Sequence, residues 1–146
     1  MIYHYTKAIS LPSIMRHGLK PSNLLLAPGE KAVLWFTTND RWENTVFALD
    51  APSLPEAYQK MSSLGGLARI GCDESIAPHR WKEIKEIASI PYHMAAHLYS
   101  SAIELGSRPG EWRGTLEGVP VDHFKQVEIY DGQKWICTSP SLKFAA

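Results

Sequence analysis

The chain has 146 residues, 45% of them hydrophobic, which suits a single domain (1–146) with a proper core and excludes general disorder. Fifteen Lys and Arg balance fifteen Asp and Glu, so bulk charge offers no attraction to nucleic acid or an anionic membrane. Two cysteines without a C-x-x-C neighbour, no basic-then-apolar leader and no membrane-length apolar run predict a soluble cytoplasmic protein with reduced thiols at Cys72 and Cys137.

Taken in order, residues 1–6 (Met1-Ile2-Tyr3-His4-Tyr5-Thr6) predict a strand with a histidine at its centre. Ser10 to Gly18 predict a short helix, with Ser10 as N-cap, Pro12 in the first turn and Gly18 just past the end. Residues 23–30 have no clear period and close on a Pro-Gly turn. Residues 32–38 (Ala32-Val33-Leu34-Trp35-Phe36-Thr37-Thr38) run apolar on both faces and predict a buried strand. Asp40 then suits the cap of a short helix.

Residues 50–66 are rich in Pro, Ser and Gly and predict a long loop, with one helical turn over 56–61. A short strand carrying Arg69 follows at 67–71, then a helical pattern over 78–88 with Trp81, Ile84 and Ile87 on one face. Residues 91–105 predict an amphipathic helix stopped by Gly106. Residues 124–130 alternate as a strand, Asp131-Gly132 signals a hairpin turn, and 134–137 return as its partner. The tail from Ser139 carries little signal. Strict strand–helix alternation is absent, so an α+β domain is expected, not a parallel doubly wound one.

Most chemistries lack their residues. His93-x-x-x-His97 places two imidazoles on one helix face, but Met94 stands where a metalloprotease carries Glu, and no third ligand is evident, so no metal is expected. Neither a nucleophile elbow nor a phosphate-binding glycine loop occurs. The five Trp and six Tyr could stack bases, but the basic residues are interleaved with acids.

One constellation remains: His4 on the first strand, Trp35-Phe36-Thr37 on the buried strand, and Glu117 in Trp112-Arg113-Gly114-Thr115-Leu116-Glu117. In this order the residues resemble the His–aromatic–Glu set of the ADP-ribosyltransferase superfamily. The opening Tyr3-His4-Tyr5-Thr6, helix, Gly18-Leu19-Lys20-Pro21-Ser22 is similar to the family's first motif. Val33-Leu34-Trp35-Phe36-Thr37 resembles the second, and Thr115-Leu116-Glu117-Gly118-Val119-Pro120 with the strand after it resembles the third. The nearest likeness is to small, divergent bacterial and phage members. The sequence departs from many members in having Trp35 or Phe36 where they carry Tyr, and Thr115 two residues before the acid.

The resemblance implies a split two-sheet β core with short helices packed around it, and NAD as co-substrate without a metal. Glu117 would be the catalytic carboxylate, with Glu111 as its rival. His4, Tyr5, Thr6, Trp35, Phe36, Thr37 and Arg69 would hold the dinucleotide, only one of Trp35 and Phe36 facing the cleft and Arg69 contacting a phosphate. The implied activity is mono-ADP-ribosylation of a protein or nucleic acid by a toxin-like effector, acting in a host cytosol and held by an antitoxin or meeting a host target. The alternatives on the same fold are NAD glycohydrolysis, transfer to an RNA 2′-phosphate, and a non-catalytic binding or immunity protein.

Overall fold

Strand β1 (Ile2–Lys7) is the centre of the molecule. The computed structural model describes residues 1–22, 26–46 and 53–138, so the start of the 50–66 segment and the tail from Ser139 lie outside the described residues. The other strands are β2 (Leu34–Thr37), β3 (Leu67–Cys72), β4 (His79–Arg80), β5 (Trp112–Thr115), β6 (Phe124–Tyr130) and β7 (Trp135–Cys137). They join in one antiparallel sheet of order β4-β5-β2-β1-β3-β6-β7. The two sheets expected from the resemblance are therefore one continuous sheet. Its pairing is uneven, however. β1 and β3 pair from Ile2–Cys72 to Lys7–Leu67, whereas β1 and β2 meet at Tyr3–Thr37 alone.

Alternation along the strands sorts side chains onto two faces. One face carries Ile2, Leu34, Phe36, Ala68, Ile70 and Val127, and packs against Leu11 and Met15 of helix α1 (Leu11–His17). The other carries Tyr5, Leu67 and Tyr130, against Ala57 and Met61 of helix α2 (Leu54–Met61). Further along that second face, Trp35 and Trp112 meet Trp81 of helix α3 (Trp81–Ile87), and Ala95 and Ala102 of helix α4 (Tyr92–Glu104). The sheet is thus the middle layer, with α1 on one side and α2, α3 and α4 on the other.

Local chemistry explains most boundaries. Ser10, Pro12 and Gly18 bracket α1 as expected, though the Ser10 hydroxyl accepts no capping hydrogen bond. Gly18 has φ +78, and a Cβ there would stand 2.6 Å from the carbonyl oxygen of Val119, where the chain pairs with Leu19. Asp40 caps no helix. A turn forms there instead, in which the Asn39 carboxamide oxygen accepts from the backbone N–H of Arg41 and Trp42. The single turn expected over 56–61 is an eight-residue helix, because the Ser53 hydroxyl accepts from Glu56 N–H and Pro55 suits a first turn. At Asp131-Gly132 the Asp131 carboxylate accepts from the N–H groups of Gln133 and Lys134, and Gly132 takes φ +103, closing the β6–β7 hairpin.

Candidate functional site

The strands that carry His4 and Trp35-Phe36-Thr37, and the strand that leads into Glu117, lie side by side in the order β5-β2-β1. Their sequence separations are large, so this adjacency is a property of the fold and not of any local pattern. Tyr3, Thr37 and Trp112 form one row across them. The next row holds Phe36 opposite Arg113, with His4 continuing it on β1.

His4 is half-buried and sits at the narrow junction of β1 and β2. Its Nδ1 lies 2.7 Å from the carbonyl oxygen of Trp35, and since a carbonyl only accepts, Nδ1 carries the proton. Desolvation lowers the imidazole pKa, the Trp35 hydrogen bond opposing it only in part. The ring is thereby neutral, with a lone pair at Nε2. The imidazole also takes the place of a missing ladder bond, supplying a donor to a β2 carbonyl where the strands part. Phe36 stands on the same face, edge-on to the imidazole at 5.7 Å between ring centres. Of Trp35 and Phe36, then, Phe36 accompanies His4. Trp35 points to the opposite face and joins Trp81 and Trp112 at 6.2 and 5.7 Å.

Thr6 shares the His4 face by alternation and is half-buried. Tyr5, Thr37 and Arg69 do not join them. Tyr5 donates to the Asn39 carbonyl oxygen at 2.6 Å, and burial raises its pKa despite the neighbouring Arg69. The Thr37 hydroxyl accepts from Asn39 N–H. Arg69 pairs with Glu128 at 2.9 Å, donates to the Asp40 carbonyl oxygen, and lies between the rings of Tyr3 and Trp135 at 4.3 and 4.6 Å. Burial works against its charge, but the hydrogen bonds to Glu128 and Tyr5 outweigh that and raise its pKa. A guanidinium so engaged is a structural tie.

Two residues that the sequence did not mark come forward. Arg113 lies on the His4 face, buried, with Nε on Glu74 at 2.9 Å and one terminal nitrogen donating to the Gly110 and Trp112 carbonyl oxygens. Its other terminal nitrogen has no partner among the described residues. Only strand register could have revealed it. Glu43 is also buried, and accepts from the hydroxyls of Thr45 and Ser107, so it ties two loops together.

Glu117 is exposed in the bend after β5, its own N–H donating to the Thr115 hydroxyl, and its carboxylate has no partner among the described residues. Its neighbours Leu116 and Gly118 line an open groove of about 650 Å³, shared with Lys20, Pro21, Glu30 and Lys31. Glu117 lies four residues beyond Arg113 and Glu111 two residues before it, spans of at most about 14 and 7 Å of extended chain. Distance to the His4 row thus favours Glu111, while solvent access and the groove favour Glu117.

No protein-family model, curated protein or solved structure matches this chain. What the site can do is therefore read from its own groups. Among the described residues no cluster of three or more His, Cys, Asp or Glu could hold a metal ion, and no helix is long and apolar enough to cross a membrane.

Proposed function

We propose that the chain is an NAD-dependent mono-ADP-ribosyltransferase acting on a macromolecular target. The observation that carries this reading is the adjacency of β1, β2 and β5, which gathers three distant motifs on one side of the sheet centre. The single Tyr3–Thr37 pairing supports an opening between β1 and β2 as the dinucleotide cleft, the counterpart of the two-sheet split the resemblance implies.

In this reading His4 Nε2 accepts a hydrogen bond from a ribose hydroxyl and holds the nicotinamide ribose in register. Phe36, buried in the core against α1, backs the imidazole edge-on and holds it in place instead of meeting the nicotinamide itself. Glu117 turns its free carboxylate toward the ribose as the C1′–nicotinamide bond breaks. The bonding pair leaves with nicotinamide, positive charge develops on the sugar, and an acceptor nucleophile closes on C1′ and loses its proton. A carboxylate beside that charge is worth a few kcal/mol, about 100-fold in rate or more. Arg113 is the cation on this face, in place of Arg69.

The test is nicotinamide release and ADP-ribose transfer, followed by mass spectrometry after incubating NAD⁺ with the chain and a cell lysate. Wild type should release nicotinamide, and Glu117→Gln should lower the rate about 100-fold while leaving thermal stability unchanged, because Glu117 is exposed. The same loss in Glu111→Gln, with Glu117→Gln active, would move the acid to Glu111. The engaged states of Tyr5, Thr37 and Arg69 favour a second reading, a non-catalytic binding protein on the same scaffold. That reading prevails if wild type releases no nicotinamide and NAD⁺ produces no thermal shift.

A further inference from the structure

Strand β4 is short, but it aligns two arginines. Arg80 stands directly opposite Arg113 of β5, so both side chains leave the sheet on the His4 face. The backbone at Arg80 is extended, with φ −93 and ψ 167, so no bulge turns the side chain aside. From the sheet edge to its centre the row runs Arg80, Arg113, Phe36 and His4. Residues opposed in this way have Cβ atoms about 5 Å apart, and like charges so placed destabilise the pairing.

The fold relieves only half of this repulsion. After β3 a short turn over Glu74–Ile76 brings the Glu74 carboxylate to Arg113 Nε at 2.9 Å. Arg113 is 7% exposed, yet one terminal nitrogen has no partner among the described residues and is not closed off from solvent. Arg80 is exposed and has no hydrogen bond or ion pair among the described residues. Half-buried Glu111, two residues before Arg113, forms an ion pair with neither arginine. One guanidinium is therefore fixed in direction by Glu74 and by the Gly110 and Trp112 carbonyl oxygens, and a second, unpaired one is beside it.

We propose that Arg80 and Arg113 form a phosphate-binding site at the β4–β5 edge of the sheet. Arg113 supplies a preset donor, and Arg80 closes on the same group from the solvent side. Guanidinium groups present several N–H donors in a rigid fork that suits the oxygens of a phosphate. A multiply charged anion between the two cations turns their repulsion into attraction, which a singly charged chloride does less well. The site needs only strand register and charge, so it stands apart from the ADP-ribosyltransferase reading. The phosphate belongs either to the dinucleotide or to a separate phosphorylated molecule, and competition separates the two sources.

Thermal unfolding of the full chain in pyrophosphate, against sodium chloride of equal ionic strength, tests this. The expected result is a saturable rise in melting temperature. Arg80→Ala should raise the pyrophosphate dissociation constant at least about tenfold, through loss of charge-assisted hydrogen bonds. Arg80→Glu should abolish the rise, yet melt no lower than wild type in chloride, because it faces Arg113 with the opposite charge. Arg41→Glu makes the same charge change at an exposed arginine of the turn after β2, and should keep the wild-type rise. Competition by NAD⁺ assigns the phosphate to the dinucleotide, and pyrophosphate binding that NAD⁺ leaves unchanged assigns it to a separate molecule. No saturable rise in wild type, a rise that Arg80→Glu retains, or one that Arg41→Glu loses equally overturns the proposal, the last by showing attraction to bulk charge alone.

Discussion

The two faces of the central sheet treat their polar groups in opposite ways. On the face of Arg69 the buried strong groups described above are engaged: guanidinium with carboxylate, phenol with carbonyl, and two aromatic rings around the cation. On the face of His4 the groups are held but not used up. The imidazole keeps Nε2, and Arg113 keeps one terminal nitrogen. Both Arg69 and His4 sit on central strands, and the sequence offers both as contacts for the dinucleotide. What separates them is the strand opposite: β6 brings Glu128 to Arg69, and β2 brings only a backbone carbonyl to His4. Free valence after the fold is complete is a better mark of a site than residue type.

The largest effect expected from this contrast is on stability. Arg69→Met leaves Glu128 buried without its partner and should destabilise the chain by about 3–5 kcal/mol in chemical denaturation. Arg69→Met with Glu128→Leu removes both charges and should recover most of that. A single variant within about 1 kcal/mol of wild type would mean that the pair is not the tie described here.

His4→Ala should cost less, about 1–3 kcal/mol, by leaving the Trp35 carbonyl without its donor. Its signature is in pH dependence. The folded imidazole has a lowered pKa, so below the ordinary histidine value of about 6.5 the unfolded chain binds a proton that the folded chain refuses. Stability from neutral His4 is thus fully present above that pH and is lost as pH falls toward the folded pKa. Denaturation of wild type and His4→Ala from neutral to mildly acid pH isolates the difference, since the other five histidines are common to both. Parallel stability curves would break the account of the imidazole, and undiminished NAD⁺ affinity in the variant would remove it from the proposed cleft.

How far the sequence revealed this contrast depended on the range of the interaction. Strands β1, β2, β3 and the β6–β7 hairpin were legible, because alternation, β-branched runs and Asp131-Gly132 are local signals. Strand β4 is two residues long and lies inside the 78–88 segment that was read as helical, whose helix begins only at Trp81. Helix α2 was read as mostly loop because Pro and Ser were taken as breakers, although Ser53 and Pro55 are start signals. In α4 the spacing was right, but burial fell on Ala95 and Ala102, since the tryptophans of β5 and α3 leave room only for small side chains. His4 and Phe36 were found as candidates, yet their shared face, the identity of Arg113 and the removal of Arg69 to the other face all follow from strand order. Strand order is set by packing across the whole chain, and no window of residues encodes it.

The smallest effect concerns the two thiols, which sample the two faces. Cys72 is on the His4 face, fully buried beneath α1 and its loop, and burial pushes its thiol up to about 11. Cys137 pairs with Glu128, hence lies on the Arg69 face, but on the last strand, where it is exposed. If one face were uniformly open and the other uniformly closed, the reactive cysteine would be Cys72. The structure instead predicts that access follows distance from the sheet edge, since the thiolate is the reactive form and must also be reached. A thiol reagent at mildly alkaline pH should label Cys137 at once and Cys72 only as fast as the chain unfolds. Peptide mapping distinguishes the two. Rapid labelling of Cys72 would show that the core beside His4 opens far more readily than its packing implies, and would weaken the case for a rigidly held imidazole there.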